Sequence, residues 1–293
     1  MSTSRAAHLT RLRVIILAAV AAIAALVIPA SQIAPARAMT AARTSHATAG
    51  WVKPTIVLEH GSWADGSSWD AVISRLQRDG YTVYAPPNPL RGLSYDSATL
   101  ADFLKTISGP IVLVGHSYGG MVITNPATGD PNVKALVYDD AFIPAKGDTV
   151  FGLTAAQPGS CLGSSAFNPV PSPGAPASNP DIYLRVAPNG TYPGFDQCFA
   201  NGVPAAQAAV LAATQRPSLL SVGSDPSGVP AWKTIPSWAV IGTADHVIPL
   251  AEQLFMAHRA GAHITEINSG HLSLITHPGA VTRVIIQAAS ATG

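Results

Sequence analysis

The sequence predicts an α/β fold in which a parallel β-sheet is covered by helices on both faces. Three observations carry that expectation. Strand-like apolar runs alternate with stretches of helical period along most of the chain. The strand-like runs are continuous rather than alternating, as in "IVLV" at 111–114, the pattern of strands buried on both faces. A hydrophobic content of 47% over 293 residues supplies core enough for one large domain or two small ones.

Taken in order, "TIVLEHG" (55–61) reads as a strand. "SSWDAVISRLQRDG" (67–80) then reads as a helix, with Trp69, Val72, Ile73 and Leu76 on one face. "YTVYAPP" (81–87) returns to a strand and completes a βαβ unit. The next cycle runs from the helix "SYDSATLADFLKTI" (94–107) through the strand "PIVLVG" (110–115) to apolar Met121, Val122 and Ile123, which begin another helix. "VKALVYDDAF" (133–142) is a further strand. The alternation then stops: residues 144–229 are rich in Pro, Gly and Ser, with one helix-like stretch at 204–215. A long irregular segment inside a compact domain reads as a lid or cap. The pattern resumes with a strand at 237–242, a helix at 250–261, a strand at 263–268 and a closing helix at 278–290. No internal repeat is found.

Within this frame "IVLVGHSYGG" (111–120) places Ser117 in a tight turn between strand and helix, flanked by Gly115, Gly119 and Gly120. Residues two before and two after such a turn crowd one another, so small residues are required at 115 and 119. The turn lifts the serine hydroxyl clear of the sheet, the geometry of a nucleophile elbow. An ordinary glycine-rich turn is the bland alternative, but the strand before, the helix after and the partners downstream favour a nucleophile.

A serine hydroxyl needs a base, and the base an orienting acid. His271, in "NSGHLSLITHPG" just beyond the last strand, stands where the base of this architecture belongs, with His277 at a helix start as its competitor. Asp245, at the carboxyl end of a strand in "AVIGTADHVIP", is the expected acid, with Asp139 or Asp140 as the alternative. His246 reads as a loop residue. For a developing oxyanion the expected donors are the backbone N–H groups of Tyr118 and Ser62, with Trp63 second to Ser62 and His60 as a hydrogen-bonded turn residue.

The amino-terminal residues read as a secretory signal peptide over 1–38. Arg5, Arg11 and Arg13 precede an apolar run from Val14 to Ile28, and "ARA" at 36–38 matches a cleavage site. That run falls short of the ~20 residues that span a bilayer, so cleavage near Ala38, and no stable membrane insertion after it, is expected. Residues 39–50 read as a flexible lead-in, and the catalytic domain is expected over 51–293 with its cap insertion at about 144–230. In a secreted chain the two cysteines, Cys161 and Cys198, read as a disulfide stapling the cap, worth about 3 to 4 kcal/mol in the chain-entropy model. The net charge of +1 and 11% charged residues provide no basic field for nucleic acid. No ligand cluster for a metal and no phosphate-binding glycine loop are recognised, so neither metal nor cofactor is expected.

Together, HGSWADGSSW, GHSYGG, GTADHVIP and SGHLSLITHP resemble the α/β-hydrolase fold superfamily over nearly all of 51–293. Within it the "HG…W" opening is similar to the plant methylesterase and hydroxynitrile lyase group and its bacterial relatives. The resemblance implies a sheet of about six mostly parallel strands, a cap inserted after the strand ending near Asp139, a Ser117–Asp245–His271 triad and oxyanion amides at Ser62 and Tyr118. It also implies a serine hydrolase acting on small-molecule esters of small or medium acyl groups, lactones included. A lyase of the hydroxynitrile type is the alternative; the lysine those plant enzymes commonly carry in the cap has no counterpart between Gly147 and Trp232. A non-catalytic ligand-binding member of the fold is the third reading. The chemistry that this scaffold hosts varies widely, so the substrate is left open by the sequence.

Overall fold

A computed structural model describes residues 52–292; the expected signal peptide and lead-in lie outside the described residues. The chain opens with β1 (Thr55–Glu59), α1 (Asp70–Arg78), β2 (Val83–Tyr84), α2 (Leu93–Leu104), β3 (Ile111–His116), α3 (Gly119–Thr124) and β4 (Val133–Asp139). The intervening segment carries α4 (Val150–Ala156), β5 (Phe167–Val170), β6 (Asp181–Leu184), α5 (Phe195–Cys198), α6 (Ala205–Ala213), β7 (Ser218–Leu219) and α7 (Ser221–Ser224). The fold closes with β8 (Ser237–Gly242), α8 (Leu250–Arg259), β9 (His263–Ile267), α9 (Ser273–Thr276) and α10 (Pro278–Ser290).

The main sheet has six strands in the order β2-β1-β3-β4-β8-β9, and every pairing in it is parallel. Ile111 to Val114 of β3 have no exposed surface, which explains their unbroken apolar sequence: both faces of that strand meet helices. The helices bury what their period predicts. Val281, Val284, Ile285 and Ala288 of α10, at i, i+3, i+4 and i+7, face the core, with Pro278 pre-set for the first turn. Because the strands are parallel, their carboxyl ends share one edge of the sheet. The loops leaving that edge carry His60–Ser62, Ser117, Asp140, Asp245 and His271, which the sequence separates by up to 211 positions.

Between β4 and β8 the structure departs from the reading of an irregular cap with a single helix. β5, β6 and β7 form a small antiparallel sheet. Its strands have four, four and two residues, and β5 contains Pro169. Proline supplies no N–H to a ladder but is tolerated on an edge strand, and β5 is one. Strands this short, one of them interrupted by proline, carry no readable alternation. Cys161 and Cys198 form the expected disulfide, with 5.7 Å between their Cα atoms.

Candidate active site

Ser117 follows β3 with φ at 53°, a left-handed conformation that is uncommon for a residue with a side chain. The crowding that enforces it is measurable. A Cβ on Gly115 would lie 2.6 Å from the Gly119 carbonyl oxygen, and a Cβ on Gly119 would lie 2.5 Å from that of Glu59. Both positions therefore require glycine, as the strand–turn–helix reading predicts. Gly61, in the loop after β1, packs on the serine itself: a Cβ there would come 2.7 Å from the Ser117 Cβ and 3.2 Å from its Oγ.

The structure brings Ser117, His271 and Asp245 into one hydrogen-bonded chain. The Ser117 Oγ lies 2.9 Å from His271 Nε2, and His271 Nδ1 lies 2.8 Å from Asp245 Oδ2. Asp245 also receives N–H groups from Val247 at 2.7 Å and Ile248 at 3.0 Å on Oδ1, and Gln253 Nε2 at 2.9 Å on Oδ2. With these donors around it, the carboxylate acts as acceptor, so Nδ1 of His271 donates and Nε2 is left to accept from the serine. Burial lowers the His271 imidazole to about 3, which keeps it a neutral base. Burial raises Asp245, against the hydrogen bonds from Ile248 and Val247, the neighbouring His246 and Gln253.

The competing residues stand elsewhere. His277 is exposed at the start of α10, its ring bonded to Thr276. Asp140 accepts from the Gly242 N–H at 2.6 Å and the Ser273 N–H at 3.0 Å, while Asp139 accepts from the Ser273 hydroxyl at 2.7 Å. Neither hydrogen-bonds to His271; Asp140 instead ties the end of β8 to the start of α9, and Asp139 bonds to α9 alone. Burial raises both carboxyls well above the usual range, helped by the charges of Asp140 and Asp245 on Asp139 and of Asp245 on Asp140, against the hydrogen bonds each accepts. His116 is buried beneath the site, with Nε2 2.8 Å from the His271 carbonyl oxygen, to which it donates.

The peptide that carries the expected Ser62 donor is oriented by His60. His60 Nε2 accepts the Asn88 N–H at 2.9 Å, so His60 Nδ1 donates to the Gly61 carbonyl, also at 2.9 Å. In a planar trans peptide the following N–H points opposite to that carbonyl, which turns the Ser62 N–H away from His60. Neither Ser62 N–H nor Tyr118 N–H donates to another of the described residues. Burial lowers His60 to about 4, so the ring that holds this peptide stays neutral.

The cap closes on the acid loop. Cys161 N–H donates to the His246 carbonyl at 2.7 Å, His246 Nδ1 bonds the Gln197 carbonyl at 2.7 Å, and Asn201 Nδ2 donates to the Ala244 carbonyl at 2.7 Å. Phe199 lies edge-on to the His271 ring, with centroids 5.3 Å apart. His246 is thus a loop residue that holds the cap. Among the described residues no group of three His, Cys, Asp or Glu side chains could hold a metal ion.

A family model described as "Alpha/beta hydrolase family" matches residues 56–284, which include every residue of this constellation. The chain belongs to that family. Two curated relatives share part of this hydrolase domain. A carbendazim hydrolyzing esterase of Nocardioides sp. (strain SG-4G) is 36% identical over 110 residues, covering 33% of this chain and 46% of the relative. A pyrethroid hydrolase of Sphingobium wenxiniae is 34% identical over 106 residues, covering 32% of this chain and 38% of the relative. The chain therefore matches less than half the length of each. Among solved structures, a methylesterase from Arabidopsis superposes with a TM-score of 0.66 over 81% of this chain and 99% of that one, at 14% identity, a likeness of fold.

Sequence reasoning did not find Gln253, Asn201, Phe199 or Asn88. Each reaches the site across a long loop or from another element, and no local motif marks it. His116 was legible only as a neighbour of the serine.

Proposed function

We propose that the chain is a secreted serine hydrolase that cleaves carboxylic esters of small or medium acyl groups, lactones included, through an acyl-enzyme. The observation that carries this reading is the Ser117 Oγ, held at a left-handed turn 2.9 Å from a neutral His271 whose other nitrogen is anchored by Asp245. The relatives named as an esterase and as a hydrolase support it.

In this mechanism the Ser117 Oγ attacks the carbonyl carbon while His271 Nε2 takes its proton. Asp245 keeps the imidazole in the accepting tautomer and stabilises the imidazolium as it forms. The Ser62 and Tyr118 N–H groups receive the developing oxyanion. The imidazolium then protonates the leaving alcohol. Water, deprotonated by the same imidazole, attacks the acyl carbonyl; the bond to the Ser117 Oγ breaks, the carboxylic acid leaves, and the imidazolium returns the proton to Ser117.

We further propose that residues 1–38 form a signal peptide cleaved near Ala38, with 39–50 a lead-in to a domain over 51–293. Their composition and the Cys161–Cys198 disulfide, which suits an oxidising compartment, support this reading. Expression of the full chain in a secreting host should yield exported protein beginning at Met39 by amino-terminal sequencing. That protein should turn over chromogenic esters, and Ser117→Ala should lower kcat by about a thousandfold or more. Equal turnover by the folded variant would remove Ser117 from the mechanism.

A further inference from the structure

Resting on the ester-hydrolase reading, we infer that a small apolar cavity beside Ser62 is the acyl subsite, and that it limits the preferred acyl group to two or three carbons. The cavity lies between the loop after β1 and the cap, and its walls include Ser62, Trp63, Phe151, Phe167, Leu219 and Val222. Ser62, on the cavity wall, directly follows Gly61, where a Cβ would lie 3.2 Å from the Ser117 Oγ; Ser117 itself does not line the cavity, so an acyl chain reaches it past this peptide.

Which arm of an ester it takes follows from where the proton must go. The leaving oxygen has to lie within hydrogen-bond reach of His271 Nε2, on the side walled by Phe199. Neither His271 nor Phe199 lines the cavity. Trp63 divides the two sides. Its ring packs edge-on against Phe199 at 5.9 Å and lies tilted against Phe167 at 6.3 Å, and its Nε1 donates to the Ile182 carbonyl at 2.9 Å. Its φ of 62° is the backbone conformation that sets it there. The cavity is thus on the acyl side of the partition.

Its size and chemistry define the ligand. The volume is about 30 Å³, whereas a cavity near 150 Å³ takes a benzene ring; this one takes a methyl or an ethyl group. The only hydroxyls on its wall, Ser62 Oγ and Ser218 Oγ, lie 3.2 Å apart and bond each other, so they ask nothing polar of the acyl chain. Phe151 closes one end: its ring lies so tightly against Gly223 that a Cβ there would overlap it. Longer chains must displace this ring or the cap strand β7.

The test is kcat/KM for p-nitrophenyl esters from acetate to octanoate, and for acetate esters of methyl, butyl and benzyl alcohols, in the wild type, Phe151→Ala and Leu219→Ala. The wild type should prefer acetate or propionate and fall at least about tenfold by hexanoate, the scale of overpacking one closed site. Either variant should raise hexanoate turnover about tenfold while leaving the order among the alcohols unchanged. Phe151 is 39% exposed, which limits the structural cost of its truncation, and Leu219 is the second probe should that variant not fold. A wild type that prefers hexanoate, folded variants with unaltered acyl profiles, or a change confined to the alcohol series would each overturn the subsite. A wild type that hydrolyses no ester would overturn the hydrolase reading itself, and the subsite with it.

Discussion

Replacing Asp245 by asparagine tests the site at its most constrained atom. Oδ1 accepts two backbone N–H groups and Oδ2 accepts Gln253 Nε2 and His271 Nδ1. An asparagine must place an NH₂ at one of these positions. At Oδ1 it would face two peptide N–H groups that cannot become acceptors. At Oδ2 one of its two neighbours, His271, can change role by moving its proton from Nδ1 to Nε2. The amide therefore settles at Oδ2, and His271 turns its N–H toward Ser117. A ring in that tautomer cannot take the serine proton. The expected loss is about 10⁴ in kcat, or about 5.4 kcal/mol of transition-state stabilisation, with KM little changed because the substrate cleft is untouched. The assay is steady-state hydrolysis of p-nitrophenyl acetate, with circular dichroism and a thermal melt to establish that the variant is folded. A folded Asp245→Asn enzyme within tenfold of wild-type kcat would refute the tautomer argument and the role given to Asp245.

Asp139→Asn should raise the melting temperature at pH 8 and have no effect near pH 4. The buried Asp139 carboxyl is held well above 3.8, chiefly by desolvation and by Asp140, so its contribution is complete below the unfolded pKa and lost as pH rises through the folded one. The amide cannot ionise, so above the raised pKa the variant is spared the cost of a buried charge, about 1.4 kcal/mol for each unit by which folding raises the carboxyl; a lower melting point at pH 8 would count against the assignment. Replacing both Cys161 and Cys198 by serine opens a bridge spanning 37 positions, a loss of at most about 4 kcal/mol in the chain-entropy model. Because Cys161 N–H and Gln197 O both hold His246 beside the acid, kcat should fall as well, and reduction of the wild type should reproduce the effect; a fully active reduced enzyme would show that the staple does not serve the site. Gly115→Ala would put a methyl 2.6 Å from the Gly119 carbonyl oxygen and should cost about 1 to 3 kcal/mol, read as a lower melting point and a lower soluble yield. An unchanged melting point would mean that the elbow is less crowded than its geometry indicates.

The sequence by itself determined the frame and the reacting atoms' neighbourhood. Unbroken aliphatic runs separated by helical period specify parallel strands buried on both faces, because only a strand covered twice dispenses with alternation. Gly115 and Gly119 around Ser117 specify the elbow, because the crowding they relieve is local to a few residues. The positions of Asp245 and His271 after successive strands were legible for the same reason: parallel strands deliver their carboxyl ends to one edge.

Only the tertiary structure shows which of the carboxylates meets His271. Asp139, Asp140 and Asp245 all leave that edge, and what separates them is contact across the chain: Asp140 is drawn to Gly242 and Ser273, whereas Asp245 is turned to His271 by Gln253 and two peptide N–H groups. The small cap sheet, the clamp of Cys161, Gln197 and Asn201 on the acid loop, and the partition made by Trp63 belong to the same class. Each is a meeting of segments far apart in sequence, and its geometry depends on how layers pack. No local period or spacing records it.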